Sequence, residues 1–213
     1  MAVSIMVFIV MLFMPEANKA SFVYLYGMVA ARYSHPEWAI HMGFPDDHYL
    51  SFVTSMFLHS GWTHIIVNML FMWIFADNIE DRMGRGRFIA FYFLCGLIAS
   101  FVQYSVNSDS MLPVVGASGA IAGVMSAYLF LYPMARVVIW LPLFFLPIFF
   151  EVPAIAFLGF WIIIQMQYVT ETIFTSQTAS NVAWGEHLGG FIAGIILYRF
   201  FIQDMDSGEQ EPE

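Results

Sequence analysis

The chain has 213 residues, of which 60% are hydrophobic and 11% are charged, and its formal net charge is −9. A soluble domain usually carries about 25% charged residues, so these few charges exclude a water-soluble globule of this size. The small number of basic residues also argues against binding to nucleic acid. A membrane-spanning helix needs about 20 apolar residues, and the composition therefore predicts an all-α, polytopic membrane protein.

Apolar stretches follow one another in chain order at residues 2–14, 65–76, 88–106, 111–134, 137–150, 152–169 and 183–202. The stretch 137–150 is broken by Pro142 and Pro147, and because proline kinks helices we expect it to be an embedded or interfacial lead-in. The others predict six membrane spans, the first of them tilted or lacking its N-terminal turn. Residues 1–203 would form this membrane domain, and the acidic residues 204–213 a disordered tail in the cytoplasm.

The basic residues predict how the spans are oriented. Three arginines separate spans 2 and 3, Arg136 follows span 4, Arg199 ends span 6, and two basic residues lie in the first loop. With six spans, the five arginines lie on one side of the membrane and the two basic residues of the first loop on the other. The positive-inside rule makes the side with the five arginines the cytoplasm. We therefore expect both termini in the cytoplasm. Without an evident targeting segment, the chain is expected in the cytoplasmic membrane of a bacterium or archaeon.

The outer ends of spans 2, 4 and 6 carry unusual polar residues. His64 and Asn68 begin span 2 and, four residues apart, share one helix face. Ser118 begins span 4, and His187 begins span 6. Ionisable residues within a membrane are costly and indicate function by default. These side chains are therefore the candidates for a functional site.

Taken singly, each of these residues has a structural explanation. Ser118, flanked by Gly116 and Gly119, could be a small residue at a close helix crossing, and Asn68 could hydrogen-bond between helices. His187 could be a buried histidine bonded to a carbonyl group. Taken together, the residues supply a serine nucleophile, a base that can take its proton, and donors for a developing oxyanion.

Small residues predict how spans 4 and 6 meet. Gly190 and Gly194 share a stripe of span 6 with His187, and glycines spaced in this way let a second backbone approach closely. The expected partner is a stripe of small residues on span 4, so that the imidazole would lie over the serine hydroxyl. That stripe consists of Ser118, Ala122 and Ser126. The polar segment 106–113 before span 4 predicts a loop that dips back into the membrane and lines a water-filled cavity.

The three segments resemble those of the rhomboid family of intramembrane serine proteases. The His-x4-His-x3-Asn pattern starting at His59, the Gly-x-Ser-Gly starting at Gly116 and the His-x-x-Gly-x-x-x-Gly starting at His187 match that family in order and spacing. The similarity extends from about Tyr26 to Arg199 and includes residues of span 5. It implies a rhomboid-like bundle of six transmembrane helices, with a short re-entrant segment leading into span 4.

The resemblance also implies roles for these residues. Ser118 would be the nucleophile and His187 the general base, in a dyad without a third carboxylate. His64 and Asn68, with the backbone amide of Ser118, would form the oxyanion hole. The residues with structural roles near the site would be His59, Gly116, Gly119, Gly190 and Gly194. No metal or cofactor is implied, and the substrates would be transmembrane segments of other membrane proteins, admitted from the bilayer past span 5.

Two positions depart from the family pattern. The residue before His187 is usually small but is Glu186 here, and the aromatic residue that often follows the serine by four positions is Ala122. One step along a helix turns about 100°, so Glu186 need not contact Ser118. Neither departure removes the serine or the histidine.

Three other functions fit parts of the pattern. A catalytically weak rhomboid-like protein that binds membrane clients would be expected to have lost the serine or the histidine. A transporter with a polar pathway would be expected to show an internal repeat, which is not visible in the sequence. A metal site built from His59, His64 and His187 lacks a cysteine or carboxylate at a suitable spacing. The sequence leaves the oligomeric state open.

Overall fold

The computed structural model describes residues 1–45, 49–143, 146–175 and 183–203. The helices are α1 (Ala2–Leu12), α2 (Glu16–Tyr26), α3 (Ala31–Ser34), α4 (Pro36–His41), α5 (Ser51–Thr54), α6 (Trp62–Met83), α7 (Arg85–Val106), α8 (Ser118–Leu131), α9 (Ala154–Thr175) and α10 (Trp184–Phe201). The strands are β1 (Met28–Val29), β2 (Pro113–Val114), β3 (Arg136–Leu143) and β4 (Leu146–Pro153), and Ser55–Phe57 is a 3₁₀ turn. The described chain is therefore mostly helical.

Each of the six stretches predicted as spans overlaps a helix, namely α1, α6, α7, α8, α9 or α10. The overlap is least complete for the stretch 111–134, of which only Ser118–Leu131 is helical. Within the described residues, α7 is the one helix that is both long and apolar enough to cross a membrane by itself. Three further helical segments are apolar but shorter, namely Ala2–Leu12, Ser118–Leu131 and Ala154–Gln167. The predicted tail, residues 204–213, lies outside the described residues.

Helix α8 lies at the centre of the bundle. Every residue from Gly119 to Tyr128 is buried, and the helix packs against α6, α7 and α10. The surrounding core consists of large apolar side chains, among them Phe75, Ile79, Phe91, Val124 and Met125. With 14 residues α8 is about 21 Å long, against about 33 Å for the 22-residue α7. Because Ala117 is fully buried, this short helix begins inside the bundle.

The connection from α7 to α8 is held by the chain that precedes α6. Strand β2 pairs antiparallel with β1, and the N–H of Ala31 donates to the carbonyl of Ser110 at 2.9 Å. Nearer to α8, the N–H of Gly116 donates to the carbonyl of Ser55 at 2.9 Å. These bonds satisfy buried backbone groups and give the segment expected to be re-entrant a defined path to Ser118.

The stretch 137–150, expected as a lead-in to span 5, forms the antiparallel hairpin β3–β4. Its register pairs Arg136 with Pro153 and Leu143 with Leu146. Prolines disfavour a helix interior, and the many β-branched and aromatic residues favour strands. Arg136 Nη1 donates to Glu151 Oε2 at 2.7 Å near the base of the hairpin. The all-α prediction is therefore incomplete, because a β-hairpin connects α8 to α9.

Candidate active site

Ser118 and His187 meet at the N-terminal ends of two helices. Ser118 is the first residue of α8, and His187 lies in the first turn of α10. Ser118 Oγ and His187 Nε2 are 2.9 Å apart in hydrogen-bonding geometry. A serine whose proton a neighbouring base can take is an activated nucleophile. The structure thus contains the serine–histidine contact that the sequence predicted.

Glycines bring this pair together where α8 crosses α10. A Cβ on Gly190 would overlap the carbonyl oxygen of Gly119, and a Cβ on Gly194 would overlap the carbonyl oxygen of Gly123. The two backbones are therefore in direct contact, as small residues at this spacing permit. Two residues of the predicted stripe, Ser118 and Ser126, do meet α10, at His187 and at Gly194. The closest contacts between the two backbones are made by Gly119 and Gly123, which the predicted stripe did not include.

His187 has two neighbours on α9 to which the sequence analysis gave no role. Its Nδ1 lies 2.8 Å from Oε1 of Gln165, whose side chain is buried. The ring of Trp161, one turn earlier on α9, lies 5.8 Å from the imidazole ring, centroid to centroid. Trp161 therefore supplies the aromatic contact that Ala122 cannot. A glutamine within an apolar helix was the signal for Gln165, because a buried amide needs a polar partner.

His64 is oriented by the small residues on either side of it. The N–H and Oγ of Ser60 lie 3.5 and 3.1 Å from His64 Nδ1, which accepts from the N–H and so leaves the ring proton on Nε2. A Cβ on Gly116 would come within 2.7 Å of that Nε2 and 3.7 Å of Ser118 Oγ. Gly116 has a φ of +133°, which disfavours any side chain. The Nε2–H of His64 therefore faces the space beside Ser118.

Asn68 and His59 are the buried neighbours of His64. Asn68 lies one turn further along α6, and its Nδ2 donates to the carbonyl of His64 at 3.0 Å, which uses one of the two N–H groups of the amide. The ring of His59 stands edge-on to that of His64, with centroids 5.1 Å apart. Within the described residues no hydrogen bond of standard geometry reaches either ring nitrogen of His59.

Glu186 is buried against α8 and α7. A Cβ on Gly119 would come within 2.7 Å of the Cγ of Glu186. The N–H of Glu186 donates to Gln103 Oε1 at 3.2 Å. Across the described part of the chain, no hydrogen bond joins Glu186 to Ser118 or His187. The same part of the chain contains no group of three or more His, Cys, Asp or Glu residues that could hold a metal ion.

The fold and the site together define a class, a helical bundle with a serine–histidine pair at the buried start of its central helix. Residues 46–204 match the Rhomboid domain family. This match covers most of the chain, and the chain therefore belongs to the rhomboid family. Members of this family are integral to membranes.

Named relatives come from mitochondria and from a bacterium. Rhomboid protein 1, mitochondrial, of Saccharomyces cerevisiae is 25% identical over 157 residues, which are 72% of this chain and 42% of that protein. Presenilin-associated rhomboid-like protein A, mitochondrial, of Danio rerio is 36% identical over 89 residues, 41% of this chain and 23% of that protein. YdcA of Bacillus subtilis, provisionally named a rhomboid protease, is 33% identical over 90 residues, 42% of this chain and 45% of that protein. The matched part spans less than half of each of these relatives.

Proposed function

We propose that this chain is an intramembrane serine endopeptidase that hydrolyses peptide bonds in or near transmembrane segments of other membrane proteins. The observation that carries the proposal is the 2.9 Å contact between Ser118 Oγ and His187 Nε2. This contact supplies a nucleophile together with its base. The provisional protease name of the Bacillus subtilis relative supports the same reaction.

The reaction proceeds in two halves. Ser118 Oγ attacks the scissile carbonyl carbon, its proton passes to His187 Nε2, and negative charge develops on the carbonyl oxygen. The C–N bond then breaks, and His187 gives the proton to the leaving amine. Water attacks the resulting acyl-serine ester and gives a proton to Nε2. When the ester bond breaks, that proton returns to Ser118 Oγ.

The oxyanion is stabilised by N–H groups from α6 and α8. His64 contributes its Nε2–H, Asn68 an amide N–H, and Ser118 its backbone N–H. The first N–H groups of an α-helix have no partner within the helix, and the helix dipole favours negative charge beside them. Donors that are fixed before the reaction cost no reorganisation when the charge appears.

The length of α8 allows hydrolysis below the membrane surface. Its 14 residues reach about 21 Å across a hydrocarbon core of about 30 Å. With its C-terminal end at one face of that core, Ser118 lies roughly 9 Å below the other. The polar segment before Ser118 gives water a path to this depth.

The proposed topology has six spans, which are α1, α6, α7, α8, α9 and α10. Both termini lie in the cytoplasm, and the chain lies in the cytoplasmic membrane.

The test is cleavage of a single-span reporter protein that is co-expressed with the full chain. The wild type should release a shortened reporter, whereas Ser118→Ala and His187→Ala should release none while remaining folded in detergent. Ser126→Ala removes another buried hydroxyl of α8, one that donates to the Gly123 carbonyl at 2.8 Å. This control should retain most of the activity.

Two outcomes would count against the proposal. Cleavage by Ser118→Ala at the wild-type rate would eliminate the serine mechanism. A reporter that co-purifies uncut with the wild type would favour the alternative, a catalytically weak rhomboid-like protein that binds membrane clients.

A further inference from the structure

Gln165 is a polar residue in an apolar part of α9. Its neighbours in the chain are Ile164 and Met166, and its side chain is only 7% exposed. A buried amide is costly unless its polar atoms find partners. The partner of Gln165 Oε1 is His187 Nδ1, at 2.8 Å. The buried amide of Gln165 therefore hydrogen-bonds to the imidazole that faces Ser118.

This contact determines which nitrogen of His187 carries the proton. An amide oxygen accepts hydrogen bonds and cannot donate them, so Nδ1 holds a proton and donates it to Gln165. The neutral ring then has its lone pair on Nε2, the nitrogen 2.9 Å from Ser118 Oγ. The other tautomer would have a protonated Nε2, which cannot take the proton of the serine. Gln165 therefore selects the tautomer that the serine needs.

The same helix also holds the imidazole ring by packing. Trp161 lies four residues before Gln165 and hence on the same face of α9. Its ring is tilted 48° to that of His187 at 5.8 Å, and 32° to that of Phe191 at 6.1 Å. Rotation of the imidazole would break the bond to Gln165 and disturb this packing. The ring is thus restrained both by a ring contact and by a hydrogen bond at its edge.

We propose that Gln165 is a positioning residue, which orients His187 as the base for Ser118 and fixes its tautomer. This inference rests on the proposed function and extends the pair to a unit of three residues. A carboxylate in this place would stabilise the imidazolium more strongly but would bury a second charge at high cost. A neutral amide gives the orientation without that cost, which suits a site within a membrane.

The test is the rate at which a fluorophosphonate probe labels Ser118 in the purified full chain in detergent, with the maximal rate kinact separated from the probe affinity KI. Gln165→Leu removes the acceptor and should lower kinact by about ten- to a hundredfold, as expected for one lost hydrogen bond, with KI unchanged. Gln165→Glu keeps an acceptor oxygen in place and should recover most of that loss. Gln167→Leu, the same change at an exposed position of α9, is the control and should label like the wild type.

A Gln165→Leu protein with the wild-type kinact would overturn the positioning role and leave the proposed function intact. A Gln165→Met protein that labels like the wild type while Gln165→Leu labels slowly would also overturn it, because the loss would then come from packing rather than from the acceptor. If Gln165→Leu does not fold, Gln165→Met, which keeps the length of the side chain without the acceptor, provides the same comparison. A wild-type chain that is not labelled at Ser118 would contradict the proposed function itself, and the positioning role with it.

Discussion

The two histidines beside Ser118 have opposite kinds of hydrogen-bonding partner at Nδ1. Ser60 donates to Nδ1 of His64 and leaves its Nε2 protonated, whereas Gln165 accepts from Nδ1 of His187 and leaves its Nε2 unprotonated. The first ring can therefore donate a hydrogen bond to an oxyanion, and the second can accept the serine proton. Two identical side chains thus present different hydrogen-bonding groups because their outer neighbours differ.

The absence of a side chain at residue 116 is expected to matter for His64. Gly116→Ala would place a Cβ within 2.7 Å of His64 Nε2 at a φ of +133°. The displaced ring should slow reporter cleavage by about tenfold or more. Gly61→Ala is the control, because a Cβ there meets nothing within 4 Å. Equal cleavage rates for the two variants would show that Gly116 does not set the position of His64.

Asn68 is expected to contribute to catalysis through its amide. Asn68→Ala should lower kcat for reporter cleavage by about 10²-fold, the usual cost of one oxyanion donor, with little change in KM. Asn78→Ala, on an exposed turn of the same helix, should have no such effect. A rate within twofold of the wild type for Asn68→Ala would remove Asn68 from the oxyanion hole.

At the scale of single residues, the sequence reveals the candidate catalytic side chains better than the residues that contact them. Ser118, His187 and His64 can be recognised because polar groups are costly in an apolar chain. The contact of Gln165 with His187 depends on the packing of α9 against α10, and the spacing of residues in the sequence does not specify how two helices pack. The close approach of His64 to Gly116 depends on a backbone conformation that glycine permits but does not require.

At the scale of elements, the crossing of α8 and α10 is the feature that the sequence predicts best. Glycines four residues apart allow close approach of backbones, and Gly190 does lie against Gly119. The hairpin β3–β4 is the opposite case. Its sequence is apolar throughout, so the alternation that identifies a half-buried strand is missing. Its prolines argued against a long helix without indicating what replaces it.

The helix crossing should tolerate no added volume. Gly190→Ala would force a Cβ into the carbonyl oxygen of Gly119, and we expect a loss of about 1–3 kcal/mol in the free energy of unfolding. Gly159→Ala, on α9 where a Cβ meets nothing within 4 Å, should instead be neutral or stabilising by up to about 1 kcal/mol. Thermal unfolding in detergent measures both. Equal Tm values would contradict the close crossing.

At the scale of the whole molecule, arginines from three helices gather at one end of the bundle. Arg87 Nη1 donates to the carbonyl of Ile202 at 3.4 Å, and the N–H of Gln203 donates to the carbonyl of Arg82 at 2.9 Å. The start of α7 and the end of α10, which carries Arg199, therefore lie side by side. This arrangement supports a cytoplasmic location for that end, because cytoplasmic ends are rich in arginine and lysine.

The proposed orientation can be tested by cysteine labelling. Cys95 is buried in α7, so a Cys95→Ala chain provides a background without cysteine. Gly86→Cys places an exposed thiol at the basic end, and Glu37→Cys places one on α4 at the other end. In intact cells an impermeant maleimide should label Glu37→Cys and should reach Gly86→Cys only after permeabilisation. The reverse pattern would contradict an orientation with cytoplasmic termini.

The most direct measurement is whether a fluorophosphonate probe forms a covalent adduct with Ser118 in the purified full chain. Because the probe reacts with activated serines, it needs no knowledge of the substrate. Mass spectrometry should find the adduct on Ser118 and none on Ser126, and Ser118→Ala and His187→Ala should abolish it. A folded wild-type chain that forms no adduct, or an adduct that persists in Ser118→Ala, would contradict Ser118 as the activated nucleophile.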